Sequence, residues 1–247
     1  MIRKLPEMPR RNKLPWLLIL GLGGLINGFG AEPDNKLTIQ SASQSTPTTP
    51  TVVAEKIAQA PNIDGALKES LWAQIAVGQR GVMTGWRLQR AKQATLAPQN
   101  RIAFVCYDDQ SLYIGMQAYV VDALDISADA GKSVFQNDCL EVHIKLPDGT
   151  YYQFGIDTLG RIGAGQIDGF ADINAIHGAA LMQDNGWTAE LAIPWNFLGV
   201  KPQKGMEFGF NLAANTSHQG TKATAHESIT WAPTYWVRKY ESKLRLE

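Results

Sequence analysis

From Leu140 to Ile156 apolar side chains recur at every second position, and this period constrains the fold more than any other feature of the chain. Leu140, Val142, Ile144 and Leu146 alternate with Cys139, Glu141, His143 and Lys145 up to the turn residues Pro147, Asp148 and Gly149. Tyr152, Phe154 and Ile156 then alternate with Tyr151, Gln153, Gly155 and Asp157 up to Gly160. Successive side chains of a strand point to opposite faces, so each segment has one face for a core and one polar face, and the pair reads as a hairpin. The same period runs through Trp187, Ala189, Leu191 and Ile193, and through Phe208, Phe210 and Leu212. Residues 101–107 and 111–121 flank the turn Asp108, Asp109, Gln110 and are apolar on both faces, which predicts central strands. Many short strands with few helical stretches predict an all-β chain, a two-sheet antiparallel β-sandwich.

The strand pattern does not begin at the N-terminus. Arg3, Lys4, Arg10, Arg11 and Lys13 precede a charge-free, mainly apolar run over 14–26, the order of a secretory signal. That run is shorter than the roughly 20 residues a membrane-spanning helix needs. Residues 1–30 are thus expected to be a signal peptide cut near Gly30 or, alternatively, an uncleaved anchor that is the chain's sole link to a membrane. Residues 31–60 are rich in Ser, Thr, Gln and Pro and are expected to form a disordered linker. The predicted domain covers 61–247, in an exported, periplasmic, cell-envelope or extracellular protein.

Lys plus Arg and Asp plus Glu each total 23, so no one-signed field draws the chain to nucleic acid. Cys106 and Cys139 lack the spacing of a zinc or iron–sulfur site and are compatible with one disulfide or with two buried thiols. His143, His177, His218 and His226 share no metal spacing and read as solvated surface residues.

With the apolar faces assigned to the core, the opposite faces carry Glu141, then Gln153 and Asp157, then Asn211 and Asn215. Amides and a carboxylate suit sugar hydroxyls, each of which donates and accepts, and no nucleophile stands among them. Phe135 and Trp236 fall in loop contexts where a ring can meet the apolar face of a sugar. Polar outward faces are also what any sandwich has. Asp138 and Glu141, three apart on a strand, point to opposite faces and cannot act as a glycosidase pair.

Ordered blocks sharpen this reading: Ile63-Asp64-Gly65 with Leu71-Trp72; the run Tyr107 to Tyr113; Asp122; Asp138-Cys139-Leu140-Glu141-Val142; Gly186 to Glu190 with Ile193-Pro194-Trp195 and Leu198-Gly199; Gly209-Phe210-Asn211; and Trp231. In these blocks the chain resembles the family 9 carbohydrate-binding modules. The resemblance implies a jelly-roll sandwich related to DOMON-like domains, non-catalytic sugar binding between two aromatic rings, and structural calcium. It implies that Phe135 and Trp236 form the clamp, that Glu141 and Asn211 bond the sugar, and that Asp157 stands where an Asn is typical. Gly155 and Ala213 depart from the family, replacing a sugar-binding arginine and glutamine. Asp122 and Asp138 are the acids that a calcium ion would use. Trp72, Trp187, Trp195 and Trp231 read as packing residues.

Two other classes remain open at this point. One is a haem-binding redox module, for which Met116, Met182 and Met206 are available without a pair being singled out. The other is an envelope scaffold that kept the fold, lost the ligand and contacts other envelope proteins. No nucleophile elbow or convergent acid pair supports an enzyme.

Overall fold

The computed structural model describes residues 49–89, 96–97, 101–119, 126–169, 171–217, 226–232 and 242–247. In chain order the strands are β1 (Thr51–Lys56), β2 (Val82–Met83), β3 (Arg87–Leu88), β4 (Arg101–Tyr107), β5 (Ser111–Tyr119), β6 (Cys139–Lys145) and β7 (Tyr151–Asp157). They continue as β8 (Ile162–Ile167), β9 (His177–Gln183), β10 (Gly186–Pro194), β11 (Glu207–Ser217), β12 (His226–Thr230) and β13 (Lys243–Leu246). Helix α1 (Ser70–Gly78) follows β1 and the short α2 (Trp195–Leu198) follows β10. The expected signal segment, Asp122 and Trp236 lie outside the described residues.

The described chain is mostly β and sandwich- or barrel-like. The strands pair in the order β8-β7-β6-β11-β13-β1-β4-β5-β10-β9, with β12 on β11, β3 on β12 and β2 on β4. The path is continuous because β1 serves two partners. Thr51 to Ala54 run parallel to Lys243 to Leu246 of β13, and Glu55 and Lys56 run parallel to Cys106 and Tyr107 of β4.

β1 corrects one expectation, since it lies inside the stretch read as linker. Val52 and Ala54 alternate with exposed Thr51 and Glu55, and both enter the core at 3% and 0% exposure. Two ladders and two inward side chains order a segment whose composition is otherwise that of a tether, so the folded domain starts before Pro61.

The alternating segments do form strands. Val142 and Ile144, Phe154 and Ile156, Phe210 and Leu212 meet Val105, Ile114 and Leu191 in one apolar cluster. Burying each such side chain is worth about 1.5–3 kcal/mol. β4 and β5 are apolar on both faces because α1 covers the far side. Trp72 and Ile75, one turn apart on that helix, pack on Phe104, Cys106, Tyr113 and Ala192.

The loop before α1 is held by Glu190 of β10. Its Oε1 accepts the indole N–H of Trp72 at 2.8 Å, and its Oε2 accepts the backbone N–H groups of Asp64 and Gly65 at 3.1 and 2.7 Å. Two well-separated sequence blocks, 63–72 and 186–190, thereby meet at one carboxylate. Trp72, Trp187 and Trp195 are buried and Trp231 packs against the core, as packing residues should. Cys106 and Cys139 are both free and buried, on strands that do not pair, so they form no disulfide.

Candidate functional site

The polar positions of β6, β7 and β11 fall on one face because both ladders that join them are antiparallel and in register. Across this face Asp157, Cys139 and Asn215 make one row, Gly155, Glu141 and Ala213 the next, and Gln153, His143 and Asn211 the third. Glu141 is therefore the centre of the grid, and its two cross-strand neighbours are Gly155 and Ala213.

With small residues opposite it on both sides, Glu141 takes its partners along the diagonals, which long side chains can span. Gln153 Nε2 donates to Oε2 at 2.9 Å and Asn215 Nδ2 donates to Oε1 at 2.8 Å. His143 Nε2 lies 3.5 Å from Oε2, and His143 Nδ1 shares a 2.7 Å hydrogen bond with the hydroxyl of Tyr151. His143 is 0% exposed, so the expectation of a solvated histidine fails. The alternation that placed Glu141 on this face placed His143 beside it, and that signal was available in the sequence.

Phe135 belongs to a single 3-10 turn, Val134–Gln136, closed by a reciprocal pairing of Ser133 and Gln136. It is half-buried, and its backbone carbonyl accepts a hydrogen bond from Asn215 Nδ2 at 3.3 Å. A Cβ on Gly155 would fall 3.0 Å from Phe135 Cε1 and 2.8 Å from the Leu140 carbonyl oxygen, so the ring rests where a side chain at 155 would stand. Burial pushes the Cys139 thiol well above its usual value, and the Glu141 charge adds to this.

Glu141, Gln153, Asn215 and Phe135 are thus brought together, whereas two expected members turn away. Asn211 donates from Nδ2 to Thr230 Oγ1 at 2.7 Å, and its Oδ1 accepts the Ala232 N–H at 3.0 Å, clamping the end of β12. Asp157 lies on the same face, but its carboxylate faces Arg161, whose Nη2 and Nε approach Oδ2 at 2.6 and 2.9 Å, and Asn137, whose Nδ2 approaches at 3.1 Å. Alternation selects a strand face but not the partner a side chain takes on it.

Of the two acids expected to hold calcium, Asp138 lies within the described residues. Asp138 accepts the Ser127 N–H on Oδ1 at 3.3 Å, Asp157 is paired with a guanidinium, and no three His, Cys, Asp or Glu side chains cluster among the described residues.

No curated protein matches the sequence. Among solved structures, a family 9 carbohydrate-binding module from Caldicellulosiruptor kristjanssonii, in complex with cellotriose, superposes with a TM-score of 0.55 at 16% identity, covering 80% of this chain and 93% of its own. The module in complex with glucose gives the same score and identity, with 95% of its chain covered. The profile of the carbohydrate family 9 binding domain-like family matches residues 63–240, the span of the blocks gathered around Glu190 and Glu141, and the chain belongs to that family.

Proposed function

We propose that this chain binds the end of a neutral carbohydrate chain without acting on it, on the polar face of β6, β7 and β11. One observation carries the reading. A carboxylate with both oxygens engaged by amides stands beside a half-buried aromatic ring, in a member of a carbohydrate-binding family. An acceptor-rich cluster next to a ring meets the two chemistries of a sugar, its hydroxyl edge and its apolar face. Trp236 supplies the opposing ring, which its sequence position after Trp231 supports. Two sheets in jelly-roll arrangement would carry this site, and the handover of β1 between β13 and β4 supports that arrangement. The basic start and apolar run over 14–26 support export and a polysaccharide partner outside the cytoplasm.

A second reading is favoured by burial. Glu141 and Asn211 are 1% and 0% exposed with partners of their own, as expected of a scaffold that kept the fold and lost the ligand. Calorimetric titration with glucose and cellotriose separates the two. Sugar binding predicts saturable heat, weakened by about 1 kcal/mol or more in Phe135→Ala or Trp236→Ala with little change in melting temperature. Absence of heat with either sugar leaves the scaffold.

A further inference from the structure

The segment 127–138 that carries Phe135 is mostly exposed from Ala128 to Ser133 and is tied to the rest of the fold through one side chain above all. Arg161, in the turn between β7 and β8, donates Nη1 to the carbonyl oxygen of Ala130 at 2.9 Å. Its Nη2 donates to the carbonyl oxygens of Asp129 and Lys132 at 3.3 and 3.0 Å. The same guanidinium bears on the fully buried carboxylate of Asp157. Three backbone carbonyls and a carboxylate converging on one positive group is the ligand set by which a loop holds a hard metal ion. Here a planar guanidinium, permanently charged and with five donors, stands in that position.

The assembly continues to the ring. Asn137 Nδ2 bridges the Asp129 carbonyl and Asp157 Oδ2 at 2.9 and 3.1 Å, and its Oδ1 accepts from Ser127 Oγ and the Asp129 N–H at 3.0 and 3.1 Å. Between Lys132 and Asn137 the turn is pressed onto a floor of two glycines that face each other across β7 and β8. Phe135 lies over Gly155, and Val134 over Gly163, where a Cβ would meet Val134 Cβ at 2.9 Å.

We propose that Arg161 is a built-in cation that takes the place of a metal in the 127–138 loop, and that it is the positioning residue for the Phe135 ring. Its effect on sugar affinity rests on the proposed function, whereas its effect on the loop does not. The peptide bond after Lys132 supplies an independent readout, since the carbonyl that trypsin must attack is the one held by Arg161 Nη2.

The test uses the full chain and its Arg161→Ala and Arg161→Lys variants. Expected are trypsin cleavage after Lys132 faster by about tenfold or more in Arg161→Ala, an intermediate rate in Arg161→Lys, which keeps the charge with fewer donors, and no effect of EDTA on the wild-type rate. Cellotriose affinity falls in the same order. A wild-type cleavage rate in Arg161→Ala, or EDTA opening the wild-type bond as far as the substitution does, overturns the proposal. If the wild type binds no sugar while the cleavage order holds, the proposed function fails and the cation role of Arg161 stands.

Discussion

The ring edge of Phe135 occupies the space above Gly155, with Cε1 3.0 Å from where a Cβ at that position would be. Gly155 stands directly opposite Glu141, so the ring is seated beside that carboxylate only because position 155 carries no side chain. An arginine at this position should not make a better site. Gly155→Arg must push against the Leu140 carbonyl and unseat the ring, at a cost of about 1–3 kcal/mol. Chemical denaturation and sugar titration check this together, and a variant as stable as the wild type with tighter binding would refute it.

Glu190 links acid–base behaviour to the fold. Burial holds its carboxyl above the ordinary 4.5, only partly offset by the Gly65 and Trp72 N–H groups that favour the charged form. With the folded-state value raised, the stability that protonation confers is fully present below the unfolded value and is lost as pH rises through the folded one. In Glu190→Gln one oxygen becomes an NH2 that must face an N–H donor, costing about 1–3 kcal/mol. The advantage of wild type over Glu190→Gln should therefore be largest in acid and shrink toward neutrality, as urea unfolding of both proteins across that range would reveal.

Asn211 is expected to matter first for stability. Asn211→Ala strands the Ala232 N–H and removes the bond to Thr230, a loss of about 1–3 kcal/mol in the unfolding free energy. A change below about 0.5 kcal/mol would mean that the clamp on β12 contributes nothing.

The thiols should be inert in the native state. Burial pushes Cys106 up to about 12 and raises Cys139 as well, so a thiolate-selective reagent should label neither until the chain unfolds. A reducing agent should leave the melting temperature unchanged. Rapid labelling of the native protein would contradict both expectations.

The hairpin of β6 and β7 was legible because its period of two is a direct print of a half-buried strand, and β10 and β11 were legible for the same reason. Alternation also put Glu141, Gln153 and Asn215 on one face. It does not say what lies over that face, which is why His143 reads as solvated in the sequence and is buried in the fold. The partners of Asp157 and Asn211 are hidden from the sequence for another reason. Asn211 spends its polar atoms on Thr230 and Ala232, distant in sequence, and Asp157 spends its own on Arg161 four residues on and on Asn137 twenty residues back, pairings that strand alternation does not encode. β1 escaped notice because a short strand with two inward residues cannot outweigh the Ser, Thr and Pro around it.

Because β1 and β13 run parallel along Thr51 to Ala54 and Lys243 to Leu246, the two ends of the domain leave neighbouring strands in opposite directions. Tension applied through those ends loads the ladder between them in shear, so that its hydrogen bonds resist together instead of opening one after another. A module tethered at one end and gripping a polymer elsewhere would be mechanically hardest to open along the line joining its own termini.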